Sequence, residues 1–286
     1  MGNWYLLSIV ALVLMGTQRF LYKVSAESQC STAWTTFAFM VTVTVISVIF
    51  FLMVGEPVLD QKMLWVTALW NSAAFVLGTI THIEALKHIP SSIAYPAIRL
   101  NLVLVIFFSI FYFKEQVSPY QVAGMIVAAG VIVLLTREAE KGERAHGNVR
   151  KGLILVSISV ACGAMASISS KFAALHTNKL AFMALSYFMG SLFALSLTGR
   201  MKAGEVKEKR KEAVVIGMAM GLINFAGFYV FLKALAAGPL SIVVSVTGMH
   251  FVIAVVLSVI LYREKITFTR ALGIVLTVVS VFFLRF

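Results

Sequence analysis

Apolar runs long enough to cross a bilayer recur along this chain, and that pattern constrains its fold more than anything else in it. A helix needs about 20 predominantly apolar residues to span the hydrocarbon core. Ten runs are read, roughly 4–22, 33–54, 64–86, 91–113 and 118–136, then 152–174, 179–198, 213–236, 239–262 and 267–285. The runs are continuous and lack period-two alternation, so they predict helices and not barrel strands. With 60% hydrophobic residues and a mean hydropathy of +0.94, the chain is expected to be an all-α integral membrane protein.

The most informative run is Ser91 to Glu115, SSIAYPAIRLNLVLVIFFSIFYFKE. Ser92, Tyr95 and Arg99 fall at i, i+3 and i+7 and share one helical face. Pro96 removes a backbone donor in the same turns and predicts a kink. A guanidinium roughly 12 Å inside the membrane is costly and should face protein or a water-filled cavity.

This stretch returns later in the chain. At one constant offset Pro90 falls on Pro239, Ser92 on Ser241, Ser109 on Ser258, Glu115 on Glu264 and Gly124 on Gly273. Both copies keep the order helix, short Lys/Arg-Glu turn, helix, which predicts two copies of one unit. Residues 1–137 form the first five-helix repeat, 138–151 a polar linker (with REAEKGERAHGNVRK spanning the boundary) and 152–286 the second. An odd number of spans with a short linker forces the second copy into the membrane upside down. The expected fold is ten transmembrane helices as two inverted five-helix repeats, with a site near the midplane.

The formal net charge of +12 does not point to nucleic acid, because the basic residues sit mostly in short loops. The loops after odd-numbered spans carry most of them, including Lys23, Arg150, Lys151, Lys209, Arg210 and Arg263, and the other side little beyond Lys62, Lys114, Lys179 and Arg285. By the positive-inside rule both termini lie outside the cytoplasm. Cys30 and Cys162 have no motif spacing and are taken as small apolar residues. The first run lacks a basic n-region and a clear cleavage site, so it is expected to be a retained helix, as fits a prokaryotic plasma membrane protein.

The turns Lys114-Glu115 and Arg263-Glu264 resemble those of the EamA family of the drug/metabolite transporter superfamily. Met15-Gly16-Thr17-Gln18 with Lys23 is similar to the family's first helix, with Met15 in place of its usual tryptophan. Cys162-Gly163-Ala164 with Lys171 is similar to the matching sixth helix. The resemblance implies a ten-helix carrier working by alternating access, often an exporter of amino acids, other metabolites or drugs. It also implies both termini in the cytoplasm, against the charge count, so orientation stays open.

Several polar residues inside the spans are candidates for the site. Span three carries Asn71, Phe75, Thr79 and His82 at i, i+4, i+8 and i+11, one face more polar than lipid tolerates. It is expected to line a substrate cavity against span four; a hydrogen-bonded helix contact is the alternative. Arg99 suits an anionic group as a planar fork donor, the alternative being a clamp to Glu84 or to carbonyls freed by Pro96. Tyr95 lies on the Arg99 face. On span nine Ser241 and Ser245 are spaced i, i+4, and His250 near mid-span is either a substrate donor or a proton relay. Asn224 on span eight joins the substrate-binding set. Glu84 is a candidate for proton coupling, although Lys87 and His88 favour an interfacial ion pair. Arg19, Lys171 and Lys233 lie near span ends and are read as snorkelling to the interface, and Glu115 and Glu264 as structural turn contacts.

These readings converge on a secondary transporter of a small organic metabolite, and the excess of Arg99, His82 and His250 over acids favours an anionic or zwitterionic one. The alternatives are a proton-coupled drug exporter, disfavoured because Trp4–Tyr22 contains no acid, and a non-transporting receptor or scaffold. No convergent nucleophile-base set and no metal-ligand cluster is spaced for an enzyme, and no cofactor is expected. The expected partners are the substrate, the lipid bilayer and coupling protons, with homodimerisation left open and no nucleic acid.

Overall fold

The computed structural model describes residues 3–28, 30–58, 60–86, 88, 100–139, 148–198, 209–262 and 267–286. Ser92, Tyr95, Pro96, Arg99 and Glu264 lie outside them. The described residues form eleven helices and no strand: α1 Asn3–Glu27, α2 Thr32–Val54, α3 Gln61–Leu86, α4 Asn101–Tyr112, α5 Pro119–Ala139, α6 Val149–His176, α7 Lys179–Thr198, α8 Arg210–Ala237, α9 Leu240–Gly248, α10 His250–Tyr262 and α11 Phe268–Phe283.

Six described segments are long and apolar enough to cross a membrane: Asn3–Ser25, Trp34–Val54, Gln61–His82, Val149–His176, Arg210–Ala237 and Leu240–Leu261. Asn101–Tyr112, Pro119–Val131, Lys179–Leu195 and Ala271–Phe283 are shorter apolar helices. Large apolar side chains such as Leu52, Phe111, Ile126 and Val215 stay exposed on the outer faces, as lipid contact requires.

In lipid no hydrophobic force drives helices together, so close backbone approach carries the packing. Small residues supply it here. Gly217 of α8 lies against Thr35 and Ala38 of α2, and Gly221 one turn on against Phe39 and Thr42. The register 217 to 35 and 221 to 39 makes α2 and α8 parallel. Gly227 meets Leu14 and Met15 of α1, and Gly238 meets Trp4, so α1 and α8 are antiparallel. Asn71 of α3 bonds to Ser170 of α6 at 3.1 Å while Ser159 bonds to the Gly78 carbonyl at 3.1 Å, so α3 and α6 are antiparallel too. The bundle therefore has one end with the α1–α2 turn and the start of α8, and an opposite end with the α8–α9 turn.

The two repeats clasp each other reciprocally. Gly16 of α1 abuts the His250 carbonyl and Ile253 of α10, and Gly163 of α6 abuts the Asn101 side chain at the start of α4. Asn101 and His250 occupy the same register of the repeat that pairs Glu115 with Glu264. Each unit thus presses the glycine of its first helix against the other's fourth-helix position.

The ninth run, expected as one helix, is broken at Met249 into α9 and α10. No proline causes this. Thr247 Oγ1 bonds back to the Val243 carbonyl at 2.7 Å, Ser245 Oγ to Ser241 at 2.7 Å, and His250 Nδ1 pairs with the Thr247 carbonyl at 2.8 Å. These side chains compete for the carbonyls of the helical ladder just where Gly248 weakens it.

Candidate functional site

The α8–α9 end of the bundle is densely packed. Every residue from Leu240 to Thr247 is buried, and Leu232, Leu235, Leu240 and Val243 are fully so. Two charged side chains organise this end. Glu115, in the turn after α4, accepts from the Leu240 amide at 2.5 Å, the Ser241 amide at 3.2 Å and Ser241 Oγ at 2.6 Å. It caps α9 from another part of the chain, because Pro239 at the N-cap has no side chain that can. Lys171 does not snorkel. It is 6% exposed, and its Nζ donates to the Leu235 carbonyl at 2.6 Å and the Gly238 carbonyl at 2.7 Å. An acid thus sits at one helix start and a base at the preceding helix end, each matching the local dipole. Phe108, Tyr112, Phe113 and Phe172 pack around them as a ring cluster.

On α3 and α1, by contrast, some positions on the packed faces are exposed. On α3, Asn71 bonds to the Ala166 carbonyl of α6 at 3.0 Å and Ser72 to the Ser186 carbonyl of α7 at 3.0 Å, which fixes the packed face. The lipid-facing stripe carries Val66, Leu69, Trp70, Leu77 and Ile80. Phe75 lies one turn beyond Asn71 and Ser72 on the packed side, yet it is 45% exposed. Thr79 and His82, further along the same face, are half-buried. Their counterparts at the repeat offset on α8 behave oppositely: Asn224 is 4% and Phe231 7% exposed.

The same contrast appears on α1. Leu6, Val10 and Val13 are exposed on one side, and Ser8 and Leu12 are buried on the other. Arg19 continues the buried stripe one turn beyond Met15 and Gly16, yet it is exposed. Its guanidinium lies 5.6 Å over the Tyr22 ring, and both residues are within electrostatic reach of Tyr187 on α7. Asn224 Nδ2 donates to the Tyr187 hydroxyl at 2.6 Å, and Phe39 and Phe228 meet that ring edge-on.

The remaining sequence candidates divide by what holds them. Asn71 is occupied by α6, touching Ser169 and Ser170 at 3.1 Å each as well as Ala166. Ser241 and Ser245 are fully buried and spent on the cap and the helix. His250 is 8% exposed at the break between α9 and α10. Glu84 lies 3.7 Å from His88 and 3.9 Å from Lys151, an ion-pair setting at the end of α3. Tyr95 and Arg99 fall outside the described residues. A furrow of about 630 Å³ runs beside α6, but its lining, Val149 to Ala161, comes from that one helix, so it is a surface groove apart from the open inner faces. Among the described residues no group of His, Cys, Asp and Glu is arranged to hold a metal ion.

Comparison with known proteins gives three findings. The model of the EamA-like transporter family matches residues 2–137 and again residues 150–286. No curated protein matches. A solved structure, described only as "Crystal structure of protein", superposes with a TM-score of 0.78 at 17% identity over 99% of this chain and 98% of that chain, a likeness of fold alone.

Proposed function

The chain belongs to the EamA-like transporter family, and from that premise we propose that it is a secondary carrier of a small organic solute, working by alternating access. A membrane transporter of small molecules is what the family implies; the finer reading is ours. In it, the ten apolar segments form two inverted five-helix repeats. The observation that carries it is the unequal exposure of equivalent positions. Phe75 on α3 is 45% exposed, while its α8 counterpart Asn224 is 4% exposed. A cavity open at one end and sealed at the other is what one half-cycle of alternating access requires. Phe75, Thr79, His82, Tyr187 and Asn224 are the proposed lining, with Tyr95 and Arg99 added from their shared face in the sequence. The preponderance of cations and neutral donors in this set favours an anionic or zwitterionic solute such as an organic acid or amino acid. Glu84, engaged with His88 and Lys151, is better suited to bracing the helix end than to carrying protons.

The test is counterflow in liposomes containing the purified chain, with panels of organic acids, amino acids, amines and neutral solutes. Flux of at least one class is expected. Thr79→Trp, which fills the opening, should reduce it about tenfold or more, since a pocket without volume holds no ligand. Absence of flux for every class, in either orientation, refutes the carrier reading.

A further inference from the structure

Arg19 is a cation set inside an apolar span. It lies within the Asn3–Ser25 span, six residues before its end, which is roughly 9 Å along the helix. It occupies the protein-facing stripe of α1, with Ser8 and Leu12 buried behind it. Among the described residues no carboxylate or carbonyl accepts from its five N–H donors; the guanidinium lies 5.6 Å over the face of Tyr22. On α7, the Tyr187 hydroxyl receives the Asn224 amide at 2.6 Å, which leaves its own hydrogen free to donate. Arg19 on α1 is thus within electrostatic reach of a hydroxyl on α7 that Asn224 of α8 orients.

We propose that Arg19 and the Tyr187 hydroxyl oriented by Asn224 form the anion subsite of this cavity, and that its ligand is the carboxylate of a small organic acid. The inference rests on the carrier reading and specifies its substrate class. A carboxylate matches the guanidinium fork with two parallel hydrogen bonds and takes a third from the tyrosine. The subsite also couples binding to movement. While the α1–α2 end is open, water solvates Arg19. Closing that end removes the water, and a bare buried guanidinium opposes closure strongly. A bound carboxylate supplies the missing counter-charge, so the loaded carrier closes and the empty one resists.

The experiment is thermal unfolding of the purified full-length chain with benzoate and hexanoate, against benzamide, hexanamide and benzylamine. A melting shift with the acids, and none with the amides or the amine, is expected. Arg19→Gln should raise the dissociation constant for the acids about tenfold or more, Arg19→Lys should fall between, and Arg150→Gln on the exposed start of α6 should leave it unchanged. Tyr187→Phe removes only the hydroxyl and should weaken the acids about threefold or more; it carries the test if Arg19→Gln fails to fold. Acids that shift melting equally in Arg19→Gln, amides that match acids, or acids that give no shift overturn the subsite. Counterflow separates this from the broader reading. If liposomes carry an amine or neutral solute and Arg19→Gln does not reduce it, the subsite falls and the carrier stands. If no solute moves with either protein, both fall.

Discussion

Glu115→Ala is expected to destabilise the folded bundle by about 2–4 kcal/mol, the scale of losing a helix cap together with charged hydrogen bonds. The carboxylate accepts two backbone amides and one hydroxyl at the start of α9. All of α9 from Leu240 to Thr247 is buried, so water cannot take over those donors. Glu115→Gln keeps an acceptor and loses the charge, and should fall between. Ser241→Ala should cost about 1 kcal/mol alone and less in the Glu115→Ala background, because the two share a bond. Unfolding by titration with a denaturing detergent measures all four proteins. A Glu115→Ala change within about 0.5 kcal/mol of zero, the range of an ordinary surface substitution, removes the cap from the account of this end. Opening should also become easier there, read as faster labelling of a cysteine introduced at Leu240.

The second large effect is an asymmetry between two equivalent glycines. Gly16→Ala is expected to cost about 2–3 kcal/mol, within the range for overpacking a tight contact, and Gly163→Ala less than about 1 kcal/mol. An added methyl at Gly16 would lie 2.5 Å from the His250 carbonyl oxygen and also strike Ile253 Cβ. Backbone and a β-branched stem have little room to yield. At Gly163 the obstacle is the Asn101 amide nitrogen at 2.7 Å, the far end of a side chain that can rotate away. Flux should follow the same order, because α1 must slide along the α9–α10 break if the cavity opens at alternate ends. Equal costs at the two positions would mean that the helices separate more easily than their packing implies.

Much of the architecture was legible because lipid imposes a strong rule. A backbone in hydrocarbon must satisfy its own hydrogen bonds, so long apolar runs announce helices. The repeat was visible in the Lys/Arg-Glu turns, and the family match covers residues 2–137 and 150–286. The interior of the site was much harder to read. Asn71, Phe75, Thr79 and His82 share a helical face, but periodicity could not say that Asn71 is consumed by α6 while Phe75 stands open. That division depends on which edge of the α3 face its neighbours meet. Arg19 and Lys171 looked alike as basic residues near span ends. One is exposed on the inner stripe and the other is buried on two carbonyls of α8 and its turn. Side-chain reach permits either outcome, and the neighbouring helix decides.

By itself, then, the sequence determined that this chain crosses a membrane repeatedly as helices, that its two halves copy one unit, and that its turns carry paired acids. These follow from composition and local spacing, which need no partner to be evaluated. Tertiary structure alone decided that Glu115 caps a helix 125 positions away, that Lys171 is buried on two carbonyls of α8 and its turn, and that Asn71 is spent on α6. Each of these depends on contacts between segments distant in the chain, where a shift of one helical turn exchanges a buried face for an open one.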